Sequence, residues 1–478
     1  MGAVDIVIIA VYMILMLVLG IYAGKKQKNT EDYFLAGKNA DVFSVACLWL
    51  SSWIGGASIV GTAERAFDMG VTAVWYVLII AVSLVIFALS FIRMIKRLSE
   101  RFDLTTYPDF IEQRYDSRTR LVASICTILG MTGFVASQFL AGGAILSALT
   151  GWNAKTSLII VAVVITFYTA FGGLLAVTYT DWFQTLILLV GIVVLGVPVC
   201  YARLDGGLQA FHALPEGYFD LGSWGWLSIA GLGVSTLFSF YTNMDNYTRC
   251  IAAKDEKVSM RGAMIAAAGI FFVAVSATFL GMCAKIIVPE ATGANALAYL
   301  IVDIFPSGLR GILLIGIIAA IMSSADICML TASTSLAKDV YRRYIRPQIS
   351  DQELQKVTIG CSFAIGVIAV LITLNSQNII DVLFIALTIN SAGLFLPTVF
   401  GMFWEKANSH AAFLSTLCSL LAILFWFAGG TMGWGGVFRM DPLWPGVLIS
   451  AVLFFPLSIW REQTPEEKQK VRDFMKNN

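Results

Sequence analysis

Ala319-Ala320-Ile321-Met322-Ser323-Ser324-Ala325-Asp326 places two hydroxyls and a carboxylate in the middle of a long apolar run. Such groups are costly in hydrocarbon, so an ionisable residue in a membrane helix faces a cavity, an ion or a partner charge by default. Adjacent serines followed by an aspartate offer hard oxygen ligands on neighbouring parts of one helix turn, a set that suits a small cation such as sodium better than a transition metal. The alternative is a polar seam between packed helices, with the serines bonded back to their own backbone.

Outward from this stretch, composition sets the class. The chain has 478 residues, 58% of them hydrophobic and only 13% charged, with repeated apolar stretches long enough to cross a hydrocarbon core of about 30 Å. The pattern predicts an all-α polytopic membrane protein with thirteen spans, near 5–23, 41–68, 71–93, 117–150, 155–172, 176–202, 225–247, 260–287, 308–339, 354–375, 378–403, 408–428 and 441–460. Met1 to Asp5 carries no basic stretch, and no small-residue cleavage site precedes Lys25-Lys26-Gln27-Lys28. The first span is therefore expected to stay in the mature protein, and the membrane to be a bacterial inner membrane.

Threading thirteen spans from an outside N-terminus puts 26 of the 32 Lys and Arg in cytoplasmic connections. Five lie outside (Lys155, Arg203, Lys285, Arg310, Arg439), and Arg65 lies within a span. The positive-inside rule thus predicts an outside N-terminus and a cytoplasmic C-terminus. The eight cysteines show no paired metal-binding spacing and read as small packing residues. Only His212 and His410 are present, too few for a histidine metal centre and poorly placed for a Ser/His/Asp triad, so the reading is not an enzyme.

Two spans carry interruptions. Span 2 contains Ser51-Ser52-Trp53-Ile54-Gly55-Gly56-Ala57-Ser58, and span 7 contains Gly231-Leu232-Gly233 followed by Thr242-Asn243-Met244-Asp245-Asn246. Unwound backbone survives at membrane depth only where it lines a cavity or is buried in protein, although Gly55-Gly56 also fits plain close packing of helices. Span 2 opens one set of five spans (41–202) and span 7 opens the next (225–403). An odd number inverts the second set, and paired broken helices in inverted halves point to a secondary transporter with midplane sites. Span 1 precedes this core as a peripheral helix, two peripheral spans follow at 408–460, and 461–478 is a charged cytoplasmic tail, all within one transmembrane domain.

A sodium site without a carboxylate cage needs carbonyls and hydroxyls brought together. Carbonyls near Ser51 and Ile54 in span 2, Ala320 C=O, and the Ser323 and Ser324 hydroxyls supply them. Asp181, near the start of span 6, is a candidate neighbour of Asp326. Two close carboxylates repel or share a proton unless a cation lies between them, so the pair reads as a second cation or release site; the alternative is a hydrogen-bonded crosslink. Trp53, Gly55, Gly56, Gln138, Thr236, Phe240 and Asn243 are candidates to face a solute. Tryptophan offers a face for a substrate ammonium, and asparagine a partner for a carboxylate or hydroxyl. Among 12 Trp and 32 Phe, a single aromatic is more often packing. Glu64-Arg65 reads as a local ion pair or an outer-vestibule contact.

At these residues the chain resembles the sodium:solute symporters, a family of proline, pantothenate, sugar, iodide and choline carriers with a LeuT-type core of five plus five inverted helices. Asp32-Tyr33-Phe34-Leu35-Ala36-Gly37, Gly172-Gly173 with Thr180-Asp181 and Gln184, Arg249, and Ser323-Ser324 occur in the family's order. The resemblance implies sodium-coupled import of a small organic solute by alternating access, with Na+ as the bound ion. It implies a main sodium site on Ser51, Ile54, Ala320, Ser323 and Ser324, and a role for Asp181 near the cytoplasmic sodium exit or in a second sodium site. Trp53-Ile54-Gly55-Gly56 with Gly61-Thr62-Ala63-Glu64, and Met322 to Asp326, are most similar to the high-affinity choline branch, yet Val82 and Asn243 stand at two positions of that branch's aromatic cage. Members with two sodium sites carry further serines where this chain has Asp326-Ile327, so the stoichiometry stays open. Proton coupling through Asp181 and Asp326, and a sensor built on a transporter scaffold, are the alternatives. The partners implied are an amine, amino acid or carboxylate and the lipid bilayer, with no nucleic acid and no obligatory protein partner.

Overall fold

The structure, a computed structural model, describes residues 3–26, 38–291, 293–374 and 379–476. The Asp32–Gly37 motif lies outside the described residues. Among the described residues twenty α-helices follow one another: α1 (Ala3–Lys26), α2 (Val42–Trp53), α3 (Thr62–Met69), α4 (Val74–Ser90), α5 (Ile92–Phe102), α6 (Tyr107–Arg114), α7 (Ser117–Thr150), α8 (Ala154–Leu188), α9 (Val197–Ala202) and α10 (Trp226–Thr242). Then come α11 (Met244–Ala252), α12 (Glu256–Ile287), α13 (Gly293–Ile304), α14 (Leu309–Thr334), α15 (Asp351–Leu374), α16 (Ile379–Ser391), α17 (Phe395–Phe403), α18 (Ser409–Thr431), α19 (Leu443–Trp460) and α20 (Pro465–Met475).

Among the described residues ten helical stretches are long and apolar enough to cross a membrane. Shorter apolar pieces, including Val7–Met16, Val42–Trp53 and Trp226–Thr242, accommodate the remaining expected spans. The molecule sorts its helices by contact. Residues 319–335 of α14 and its continuation are buried without exception, whereas α15 and α18 expose Val367, Leu371, Leu421 and Phe425. The serines and aspartate of α14 therefore lie in the protein interior rather than against lipid, the only setting in which such groups are tolerated at that depth.

Span 2 breaks where its glycines are. α2 ends at Trp53, Ile54 has left the helical region, a wide-turn segment covers Ala57–Gly61, and α3 resumes at Thr62. Span 7 breaks within the Thr242-Asn243-Met244-Asp245-Asn246 string and not at Gly231-Leu232-Gly233. Both glycines are inside α10, and the interruption is the single residue Asn243, extended at φ −77°, ψ 117°. The Asn243 side chain accepts from Asp245 N–H and so begins α11, which makes capping rather than glycine flexibility the cause of the break. The two broken helices are clipped together at one end: Ala40 N–H donates to Ala252 C=O, and Lys254 N–H donates to Ala40 C=O.

Two further departures have clear causes. α8 runs on without the gap expected between 172 and 176. However, Tyr168 O–H donates to Thr180 Oγ1 at 2.8 Å, and a straight helix separates residues twelve apart by about 18 Å. The chain therefore bends back sharply between them, as two spans require. Span 11, expected unbroken, is interrupted between α16 and α17. Pro397 has no N–H to offer the carbonyl four residues earlier, Gly393. The Thr416 and Ser450 hydroxyls donate to that carbonyl instead, at 3.2 and 3.4 Å.

Candidate functional site

The break in span 2 brings α2 carbonyls against α14. Ser324 Oγ donates to Ser51 C=O at 2.7 Å and lies 3.3 Å from Ser52 C=O; Ser323 Oγ is 3.4 Å from Ser51 C=O and 3.2 Å from Ala320 C=O. Four of the five expected sodium-ligating groups thus converge on one point in the protein interior. Ile54 is the α2 C-cap, three residues after Ser51 at the same break, and is fully buried. The oxygens are carbonyls and hydroxyls only, the hard, neutral donor set that a weakly held monovalent cation requires.

The approach depends on glycine. A Cβ at Gly55 would lie 2.6 Å from both Ser324 Oγ and Gln138 Oε1, and one at Gly56 would lie 2.5 Å from Ala141 Cβ and 2.7 Å from Ile321 Cγ1. Gly55→Ala is expected to push Ser324 away from Ser51 C=O and raise the sodium concentration for half-maximal uptake by about tenfold, the scale of an overpacked core contact. Sodium titration of uptake checks this, with surface expression measured alongside; an unchanged titration contradicts it.

Asp181 and Asp326 are both fully buried. Asp181 Oδ2 accepts from Ser51 Oγ at 2.7 Å, and Asp326 Oδ1 accepts from Thr169 Oγ1. The remaining oxygens, Asp181 Oδ1 and Asp326 Oδ2, have no hydrogen-bond partner. Each carboxylate has its own hydroxyl partner rather than sharing one. A buried carboxylate left half-satisfied in this way is expensive unless it takes up a proton or something positive sits with it.

On the other side of the break, Trp53 stacks on Phe240 with ring centres 4.1 Å apart and meets Phe134 edge-on at 6.4 Å. Gln138 Oε1 accepts Gly56 N–H at 2.8 Å, capping the break from α7. Trp53, Gly55, Gln138 and Thr236 share a small cavity with Ser58 and Tyr76; it encloses about 20 Å³, room for a single water. This is a closed geometry, and admitting an organic solute requires these helices to part. Asn243 does not line the cavity; it is committed to capping α11. Gly56 packs behind the break.

Sequence reasoning missed several contacts here. Asn246 Oδ1 accepts from Trp53 Nε1 at 3.1 Å, Ser52 Oγ donates to Asp245, and Asp245 is paired with Arg249, whose Nε donates to Leu48 C=O at 2.6 Å. Ser52 and Asn246 stood in the quoted motifs, but only pairing of spans 2 and 7 gives them partners. Arg65 places its guanidinium 4.5 Å over the Trp224 ring, while Glu64 lines a separate cavity of about 330 Å³ with Lys155.

The basic end is held by a charge network. Arg120 reaches Asp109 at 2.9 Å, Asp339 at 2.7 Å and Glu112, joining α6, α7 and the Ser335–Ile345 extension of α14. Burial pushes the Asp109 carboxyl up, but Lys338 and Arg120 beside it outweigh this and hold it below the usual carboxylate range. α20 closes over the same end: Lys470 Nζ donates to Glu112 and Tyr115 carbonyls at 2.6 Å each, and Phe474 is fully buried against Phe102.

A model of the sodium:solute symporter family matches residues 33–217 and 221–419. The osmoregulated proline transporter OpuE of Bacillus subtilis is 25% identical over 94% of this chain and 93% of its own length. The sodium/pantothenate symporter of Escherichia coli is 26% identical over 93% of this chain and 94% of its own. Among solved structures, a substrate-bound, outward-open Na+-coupled sialic acid symporter superposes with a TM-score of 0.78 at 21% identity, covering 96% of this chain and 98% of the other.

Proposed function

The chain belongs to the sodium:solute symporter family, and from that premise we propose that sodium is held at the α2–α14 crossing by Ser51, Ile54, Ala320, Ser323 and Ser324. The protein is a multi-pass membrane transporter with the LeuT fold and not an enzyme; sodium is its coupling ion, and its cargo is a small organic solute. The observation that carries the site is the convergence of the Ser323 and Ser324 hydroxyls on the Ser51 carbonyl at a helix break. Sodium there links the two five-helix repeats, 41–202 and 225–403, and biases the state that accepts solute, because it binds the two states unequally. Asp181 and Asp326, each with an unpartnered oxygen, form the second cation or release site. The basic end faces the cytoplasm of a bacterial cell, which puts the N-terminus outside.

The solute is a small amine or amino acid. The cavity beside the break is lined by Trp53, Tyr76, Phe134, Gln138, Ser58 and Thr236 without a charged side chain, so a substrate ammonium would rest on aromatic faces and a carboxylate on hydroxyls and amides. The choline cage is only partly supported: Val82 is 51% exposed and Asn243 is a helix cap, while the rings near Trp53 come from Phe240, Phe134 and Tyr76 instead. Uptake into proteoliposomes of labelled choline, betaine, proline, pantothenate, short carboxylates and a hexose, under an inward sodium gradient with a potassium control, is expected to show sodium-driven accumulation of an amine or amino acid. Accumulation of the hexose alone would overturn the solute class. Uptake that follows a proton gradient and ignores sodium would favour the proton-coupled alternative.

A further inference from the structure

We propose that the peripheral helix α1 belongs to the ion machinery, with Tyr12 acting through Gln184 as a positioning residue for the carboxylates Asp181 and Asp326; this rests on the reading of those two as a cation site. α1 is two-faced. Val4, Val7, Val11, Ile14 and Val18 are more than half exposed, whereas Asp5, Tyr12 and Met16 are buried. A helix that served only as a lipid-facing staple would need apolar contacts on its inner side, and this one places a carboxylate and a phenol there.

Both polar groups engage the helices that carry the ion-site residues. Asp5 Oδ1 accepts Gly308 N–H at 2.8 Å and Gly311 N–H at 3.1 Å, capping the start of α14, the helix of Ser323, Ser324 and Asp326. Seven residues on, Tyr12 accepts from Gln184 Nε2 at 3.2 Å, and the same amide touches Met16 sulfur at 3.8 Å. Gln184 follows Asp181 by three residues and so shares its face of α8. Its Oε1, like Asp181 Oδ1 and Asp326 Oδ2, is buried without a hydrogen-bond partner. Three buried oxygens, from a glutamine and two aspartates, are thus left open to a cation, and Tyr12 of α1 fixes the orientation of the glutamine.

Tyr12→Phe keeps the ring and removes the hydroxyl. It is expected to raise the sodium concentration for half-maximal uptake by about three- to tenfold, the worth of one lost hydrogen bond, with the solute KM at saturating sodium unchanged. Gln184→Ala should give a similar shift, and the double variant less than the product of the two, because they act as one unit. A structural role alone would lower surface expression or maximal rate and leave the sodium titration where it was; that result overturns the proposal. Asp326→Asn is run in parallel. If it shifts sodium activation while Tyr12→Phe does not, the carboxylate site stands and the role of α1 is wrong; if it too leaves sodium activation unchanged, the second-site reading itself has failed.

Discussion

Ser324→Ala raises the sodium requirement for uptake by about ten- to a hundredfold, the range expected when a group facing a charged partner is lost from a buried site. The Ser324 hydroxyl is the shortest link between α14 and the α2 break, at 2.7 Å from Ser51 C=O. Removing it takes away one hard oxygen and also leaves that carbonyl leaning on the longer Ser323 contact at 3.4 Å. Ser323→Ala should cost less for that reason, and the two together should abolish sodium stimulation. The change is one atom in a fully buried seam, so the fold survives and sodium titration of uptake reads the site directly. Equal sodium titrations in wild type and Ser324→Ala would remove Ser324 from the site.

Arg120→Gln has the largest expected effect on stability. One guanidinium serves Asp109, Glu112 and Asp339, and Asp339 is fully buried with its Oδ2 lacking any hydrogen-bond partner. Its further support is Thr106 Oγ1 at 3.1 Å. Deleting the cation strands a buried carboxylate, a change that costs about 3–5 kcal/mol. Because the network ties α6 and α7 to the extension of α14, its loss also loosens the helix that bears the proposed sodium ligands. Thermal unfolding in detergent, followed by size-exclusion chromatography, should show a clearly lower transition than wild type. A transition within about 1 kcal/mol of wild type, as for an exposed ion pair, would mean that water reaches the network.

The membrane class and the polar stretch of α14 were legible because hydrocarbon makes polar groups conspicuous: Ser323, Ser324 and Asp326 stand out in an otherwise apolar run. What was not legible depended on partners distant in sequence. The Asp181 carboxylate reads as a neighbour of Asp326, yet its hydrogen bond goes to Ser51, 130 residues away. The break at Asn243 falls in the polar string already quoted for span 7, but its cause, the cap on Asp245 N–H, needs the structure, and the one after Ser391 is explained only when Pro397 is paired with the Gly393 carbonyl and its donors on α18 and α19. Arg120 was one more positive charge to be counted for topology. Its position 219 residues from Asp339 gives no periodic signal by which sequence could have joined them.

The measurement that tests the central claim most directly is equilibrium binding of radioactive sodium to the purified protein in detergent, with potassium as the balancing salt, for wild type and for the Ser323→Ala, Ser324→Ala double variant. Saturable binding by wild type that is lost or strongly weakened in a folded double variant is the predicted result. Undiminished binding in that variant would place the sodium elsewhere and contradict the site at the α2–α14 crossing.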